Sequence, residues 1–356
     1  MTAEPSAARR AEQGASTHLF LLAGQRPGST HAEALADAHH YGRTAEEAGY
    51  AGVWIAEHHF ISYGVCPSAV AFAAHLLGAT RRITVGTAAC ILSNRNPVAL
   101  AEESVLLDEL SGGRFRLGVG RGGPWVDLEV FGTGLERFEA GLGESLEVMA
   151  RWLSGAAAVA GNGRFPFRTV AVVPRPRRRI PIWIAATSPT TVELAARAGM
   201  PLLLGLHAGP DEKADLLHRY AQVAMLHDHD PGLIPHASAH VAQVEDSDEE
   251  AARVVHAGLP PLLAGTREYV RLDGTRVGSR DLDAYVGRLV GIHPIGSPDR
   301  CRRALARAAA LPGVRHLLLM VEAAGGRNAT VRTIRRLASE VLDFPVDQPL
   351  AATTPQ

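Results

Sequence analysis

The feature that most constrains this chain is a rhythm. Short apolar runs alternate with longer amphipathic stretches eight times over. Strands are expected at residues 18–23, 53–56, 83–92, 114–119, 182–186, 201–206, 240–244 and 316–321. Helices are expected at 31–48, 67–79, 97–110, 135–153, 190–198, 212–226, 248–263, 298–310 and 330–342. The strand runs are almost continuously apolar. They do not alternate as a half-exposed strand would, so both faces are buried, as in a parallel sheet. Eight strand–helix units favour closure into a (β/α)₈ TIM barrel over an open, doubly wound sheet.

Two stretches interrupt the rhythm. A Pro- and Arg-rich segment, 161–179, carries strand-like pieces at 165–167 and 170–173, and reads as a hairpin insertion after the fourth helix. Residues 265–291 fit no barrel element and read as a long lid-like loop before the eighth strand, near the barrel mouth. The domain reading is a single barrel over 17–346. It is flanked by a polar, Ala-rich tail at 1–16, expected to be disordered, and a flexible tail at 347–356.

Composition excludes several partners. The formal net charge is −1, so no global basic field draws the chain to nucleic acid or to an anionic membrane. The arginine clusters at 175–179 and 332–336 are short, lack interleaved aromatics, and read as solvated faces. Three cysteines are too few and too odd for a disulfide framework. No apolar run reaches membrane-spanning length, and residues 1–16 lack the apolar core of a secretion signal. A cytoplasmic location is the expectation.

In such a barrel the reactive groups sit at the C-terminal ends of strands. That narrows the candidates to Glu57-His58-His59-Phe60, Ser93-Asn94-Arg95-Asn96, Gly120-Arg121-Gly122-Gly123 and Thr187-Ser188-Pro189-Thr190-Thr191. The last group runs into a helix, where hydroxyls, free amides and the helix dipole together suit an anion. Arg121, ending the neighbouring strand, could supply the counter-charge. An ordinary Ser/Thr cap and a salt-bridged arginine would account for the same residues. Of His58 and His59, adjacent on a strand end, only one is expected to face the barrel axis. Neither belongs to a readable metal-ligand pattern, so no metal is expected. The run from Gly118 to Gly123 fails the G-x-G-x-x-G spacing of a dinucleotide loop.

These residues carry a family resemblance. WIAEHHF (54–60), AAHLLGATRRITVGTAA (73–89), Asn96-Pro97, LLDELSGGRFR (107–116), Gly118 to Gly122, Phe131-Gly132-Thr133, Ser188 to Thr191 and Pro294 to Pro298 stand in collinear order. Together they resemble the bacterial-luciferase-like flavin-dependent monooxygenases, the luciferase α subunit in particular. The resemblance implies that His58 is the catalytic histidine beside the reactive edge of the flavin. It implies a non-prolyl cis peptide at Ala88-Ala89 under the isoalloxazine ring, and an FMN phosphate held by Arg121, Ser188 and Thr191. Thr187 stands where the α subunit has a phosphate-site glutamate. Gly120 replaces a reactive cysteine, which implies more room near the flavin.

The activity so implied is a two-component monooxygenation. FMN arrives reduced, as FMNH2, from a separate flavin reductase. O2 adds to give a flavin 4a-hydroperoxide, and a small organic substrate, of natural-product (polyketide) type, receives one oxygen. Closure of the 265–291 loop would exclude water. Two other functions fit the same fold: a deazaflavin-dependent oxidoreductase, which would need no oxygen, and a non-catalytic flavin-binding subunit, which would not turn over. The Ala-rich helices 67–79 and 97–110 are expected to pair two copies as a homodimer.

Overall fold

The computed structural model describes residues 14–275 and 281–342. Eight parallel strands form its barrel: β1 Ser16–Leu21, β2 Gly52–Ile55, β3 Thr84–Thr87, β4 Phe115–Gly120, β5 Ile182–Ala186, β6 Leu202–Leu204, β7 His236–Val241 and β8 Val314–Met320. Each strand pairs with its sequence neighbours. β8 returns to β1 through Ser16↔His316 to Phe20↔Met320, so the sheet closes on itself. The helices around it are α1 His31–Glu47, α2 Ala69–Ala79, α3 Pro97–Leu110, α4 Leu142–Trp152, α5 Pro189–Arg197, α6 Pro210–Met225, α7 Asp248–Ala264, α8 Leu282–Ile292, α9 Pro298–Ala309 and α10 Arg327–Arg336. The chain is the expected (β/α)₈ TIM barrel.

Local chemistry starts the helices. Thr30 caps α1 in a reciprocal box with Glu33. Asn96 accepts the amides of Val98 and Ala99 ahead of Pro97 in α3, and Ser188 does the same for Thr191 ahead of Pro189 in α5. Apolar residues fall into two layers. One fills the space between the strands and the helices; the other lies inside the barrel and continues into its C-terminal mouth. The interior is plugged by Trp54 and Trp183, whose rings meet edge-on at 5.5 Å. Gly86 makes the room, since a Cβ there would lie 2.7 Å from the Trp54 ring.

Several boundaries differ from the sequence reading. The expected strand 83–92 is broken after Thr87; Cys90–Ile91 forms a separate short piece beyond a cis peptide. The seventh strand begins at His236 rather than residue 240. Its alternating polar residues disguised it, and each is satisfied inside the fold: His236 Nδ1 accepts the Leu202 amide, and Ser238 meets His240. Gln243–Val244, read as the end of that strand, pairs outside the barrel with Ile295–Gly296. The hairpin insertion exists, but its first strand is Ala158–Val159, paired with Val170–Ala171. Phe165 and Phe167 instead close the turn, their carbonyls accepting the amides of Asn162 and Gly161.

The segment 265–291 is not a structureless loop. A 3₁₀ turn, Gly265–Glu268, leads to residues 269–275, and α8 follows with Asp281 capping Ala284. The interior Gly287 and Gly291 hid that helix from the sequence reading. The expected tails lie outside the described residues except at 14–16, where Ser16 already opens β1.

The barrel wall tolerates no side chain at Gly118. Thr87 Oγ1 accepts its amide and donates to its carbonyl, and a Cβ would stand 2.1 Å from the Thr87 carbonyl oxygen. Gly118→Ala is expected to lower stability by about 1–3 kcal/mol, as overpacking does. Denaturant melts of the two proteins measure it; equal midpoints would contradict this packing.

Candidate active site

A cavity opens at the C-terminal mouth of the barrel. Its wall is mostly apolar, drawn from Phe20 in β1 and Leu22 after it, Ala185 in β5, Leu203 to Leu206 and Leu318 in β8. Few polar groups reach it. His58 does so from the end of β2, and His207 from the loop after β6.

Glu57 fixes the start of this wall. Its carboxylate is buried and accepts the backbone amides of Ala69, at the start of α2, and of Ile91. Arg95 reaches it at 3.1 Å, and His59 lies 3.6 Å away. Burial pushes this acid upward, but His59, Arg95 and the two amides outweigh it and hold its pKa below the ordinary value. The two histidines therefore part company. His59 turns to Glu57 and to the ring of Phe131, 5.0 Å away, while His58 lines the cavity. Only one of the pair faces the site, as the strand-end geometry requires.

His58 is held without a charged partner of its own. Its amide donates to the Cys66 carbonyl, and its ring meets Tyr63 edge-on at 5.1 Å. Gly64 packs so closely that a Cβ there would come 2.4 Å from His58 Nδ1. That nitrogen is buried with no hydrogen-bond partner among the described residues. Burial pulls the pKa down to about 4, against a smaller upward pull from Glu57, so the ring is neutral at neutral pH.

Beside His58 lie Ala88 and Ala89, joined by a cis peptide and both facing the cavity. Gly120 stands between these residues: a Cβ there would lie 3.3 Å from that of Ala185 and 3.6 Å from that of Ala89.

The anion candidates gather one strand further round. The register Gly120↔Ala185 sets Arg121 beside the end of β5. Ser93 Oγ holds the Arg121 carbonyl at 2.6 Å, and the guanidinium lies over the Phe138 ring at 4.5 Å. It has no carboxylate partner among the described residues, which removes the salt-bridged alternative. Ser188 Oγ and Thr191 Oγ1 are 3.1 Å apart at the first turn of α5, and Thr187 is exposed beside them. The arrangement offers hydroxyls, helix amides and one uncommitted cation.

Sequence reasoning missed three residues. Tyr63 flanks His58. Tyr285, from α8, bonds to His207 across the mouth. Glu322 follows β8 and accepts the amides of Leu22 and Gly24, at 2.5 and 3.1 Å, while burial pushes its carboxyl upward. A lone acid directly after an apolar strand was the available signal for Glu322.

The matching family model is that of the luciferase-like monooxygenases, over residues 16–316. Among curated relatives, the alkanal monooxygenase alpha chain of Photorhabdus luminescens is 29% identical, covering 91% of this chain and 96% of its own. The 4-hydroxyprotoasukamycin monooxygenase of Streptomyces nodosus is 31% identical over 73% of this chain and 67% of its own. Three solved structures share the fold. Monooxygenase RslO1 of Streptomyces bottropensis has a TM-score of 0.78 at 22% identity, covering 92% of this chain and 98% of its own. The oxygenating constituent of 3,6-diketocamphane monooxygenase of Pseudomonas putida, in complex with FMN, has 0.75 at 20%, with the same coverage. An F420-dependent secondary alcohol dehydrogenase has 0.71 at 17%, covering 93% and 99%.

Five buried histidines besides His58 also have depressed pKa values: His18, His236, His240, His293 and His316, each mainly through burial. Between the ordinary value of about 6.5 and the folded value, the unfolded chain binds protons that the folded one does not. Stability should therefore fall as pH drops below about 6.5. Melting temperature against pH reads the sum, and ring-proton NMR should put the His58 midpoint near 4. A His58 midpoint near 6.5 would contradict the enclosure described. By its family model and its barrel, this chain belongs to the luciferase-like monooxygenases.

Proposed function

We propose that the chain is the oxygenating component of a two-component system, taking reduced FMN from a separate reductase and using O2 on a small organic substrate. The observation that carries this reading is the pairing of an apolar cavity, with one neutral histidine on its wall, and a cation-and-hydroxyl cradle one strand away. The residues fit a flavin. His58 Nδ1 is a buried polar atom without a protein partner, and small side chains at Ala88, Ala89 and Ala185 leave a flat wall beside it. Ser188, Thr191 and Arg121 would hold the phosphate, with Thr187 at the rim. When bound, the flavin supplies the activation of oxygen; the protein supplies binding, orientation and shielding.

His58 is the acid–base group in this scheme. Its neutral ring can accept a proton or pass one on, and Glu57 keeps the strand end in place by holding His59, Arg95 and α2. Water exclusion falls to the mouth. Trp125 and Tyr269 stack at 4.6 Å, and Val126 and Leu272 donate to the Val270 and Pro124 carbonyls, so residues 124–126 and 269–272 are zipped together beside the site. The Streptomyces relative named for a natural-product monooxygenation supports a bulky, polyketide-type substrate. A deazaflavin-dependent oxidoreductase remains the second reading, supported by the F420-dependent dehydrogenase with the same fold. Activity without oxygen, with the deazaflavin in place of FMN as the hydride carrier, would favour it.

His58→Ala should still bind FMN yet lose coupled oxygenation by about 10²-fold or more. Product and peroxide release measured together check this; unchanged product yield would remove His58 from the chemistry.

We also propose a homodimer through α2 and α3. Ala71, Ala74 and Gly78 lie on the exposed face of α2, and Ala99, Leu106 and Leu110 on that of α3. Small and apolar residues on open helix faces suit close helix packing. Sedimentation should give twice the chain mass, and Leu106→Arg should return it to the monomer. A monomeric parent protein would reject the pairing.

A further inference from the structure

A second cavity, of about 520 Å³, lies on the other side of β7, among the start of α6, the end of α8 and one face of α9. Ala239 turns toward the barrel mouth, so its neighbours Ser238 and His240 turn outward, to this second space.

Its polar groups are nearly all basic. Lys213 is 1% exposed, and its ammonium donates to Ser238 Oγ at 3.0 Å and to the Ala239 carbonyl at 2.7 Å. An ammonium has three donors, so one is left. Ser238 receives Lys213 and can pass its own proton to His240 Nε2, 2.9 Å away, which places the remaining His240 proton on Nδ1. Arg307, on α9, makes no ion pair among the described residues. Ala208 and Pro210 bring the start of α6 to the wall, where Glu212 already accepts the Gly209 amide. No acid lines the cavity.

His293 differs from these. It is 2% exposed, and its Nε2 must be the donor in its 2.8 Å bond to the Leu206 carbonyl. Its Nδ1 is therefore an acceptor, and it is buried with no partner among the described residues. Burial drags Lys213 to about 7 and, with Lys213 beside it, His293 to about 3. Buried like-signed groups without a counter-charge are costly.

We propose that this cavity binds a phosphate group in a protonated form, its charged oxygens toward Lys213, His240 and Arg307, and its P–OH donating to His293 Nδ1. The ammonium excludes a metal ion. A carboxylate or a sulfate carries the charge but brings no proton for His293 at neutral pH. Free phosphate and a phosphate monoester share the required chemistry.

The test is calorimetric titration of inorganic phosphate into the full chain carrying Arg121→Ala and Ser188→Ala, which disables the proposed flavin-phosphate cradle. One phosphate per chain should still bind, with sulfate weaker. Adding Arg307→Ala, an exposed change that leaves the core intact, should weaken phosphate by about tenfold or more. Lys213→Met should abolish it; should that variant misfold, Arg307→Ala decides alone. Glycerol phosphate binding as well would point to an esterified ligand, and its exclusion to the free ion. Loss of all phosphate binding in the Arg121/Ser188 background, or no effect of Arg307→Ala, overturns the proposal.

Discussion

The buried carboxylate of Glu57 is the joint on which the reactive wall depends. It gathers the first amide of α2, the amide of Ile91 beyond β3, and the guanidinium of Arg95. Three segments are thereby tied to the end of β2. Removing one partner of a buried pair typically costs about 3–5 kcal/mol. The acid also draws His59 away from the cavity. His58, one residue on, is left as the group that faces it. The charge on Glu57 thus chooses which histidine lines the cavity.

The opposite solution appears at His58 itself. It has no acid against its ring, and burial rather than pairing sets its proton affinity. A neutral imidazole in an apolar wall can accept or relay a proton without first losing one to water. The two neighbouring residues divide the work: Glu57 is stabilised as an ion by four donors, and His58 is stabilised as a neutral base by their absence. Exchanging these environments would protonate the acid and charge the base, and the cavity would lose both its scaffold and its acceptor.

The barrel was legible because its signal is repeated. Eight apolar runs, each followed by a helical stretch, leave little freedom in the order of strands, and Thr30, Asn96 and Ser188 mark helix starts by residue type alone. The strand ends were legible for the same reason, since the fold restricts where reactive residues can stand. Failures came where tertiary contacts satisfied polar groups that sequence reading treats as loop. His236, Ser238 and His240 lie in a buried strand because Leu202 and Lys213 meet them. α8 was missed because glycines weaken its pattern.

β1 to β4 carry the histidine, the cis peptide and Arg121, on motifs compact enough to read from sequence. Leu203 to His207 and Tyr285 form the facing wall, drawn from β6 and the loop after it and from α8, the helix that sequence reading missed. On the proposed reading the first wall meets a cofactor, which fixes residue type and spacing together, and the second meets a substrate, for which apolar surface of the right shape suffices, and many sequences supply that. Cofactor chemistry would then be written in local motifs at the ends of β2 to β5, and substrate choice in the long-range packing of Tyr63, Leu206 and the His207–Tyr285 pair.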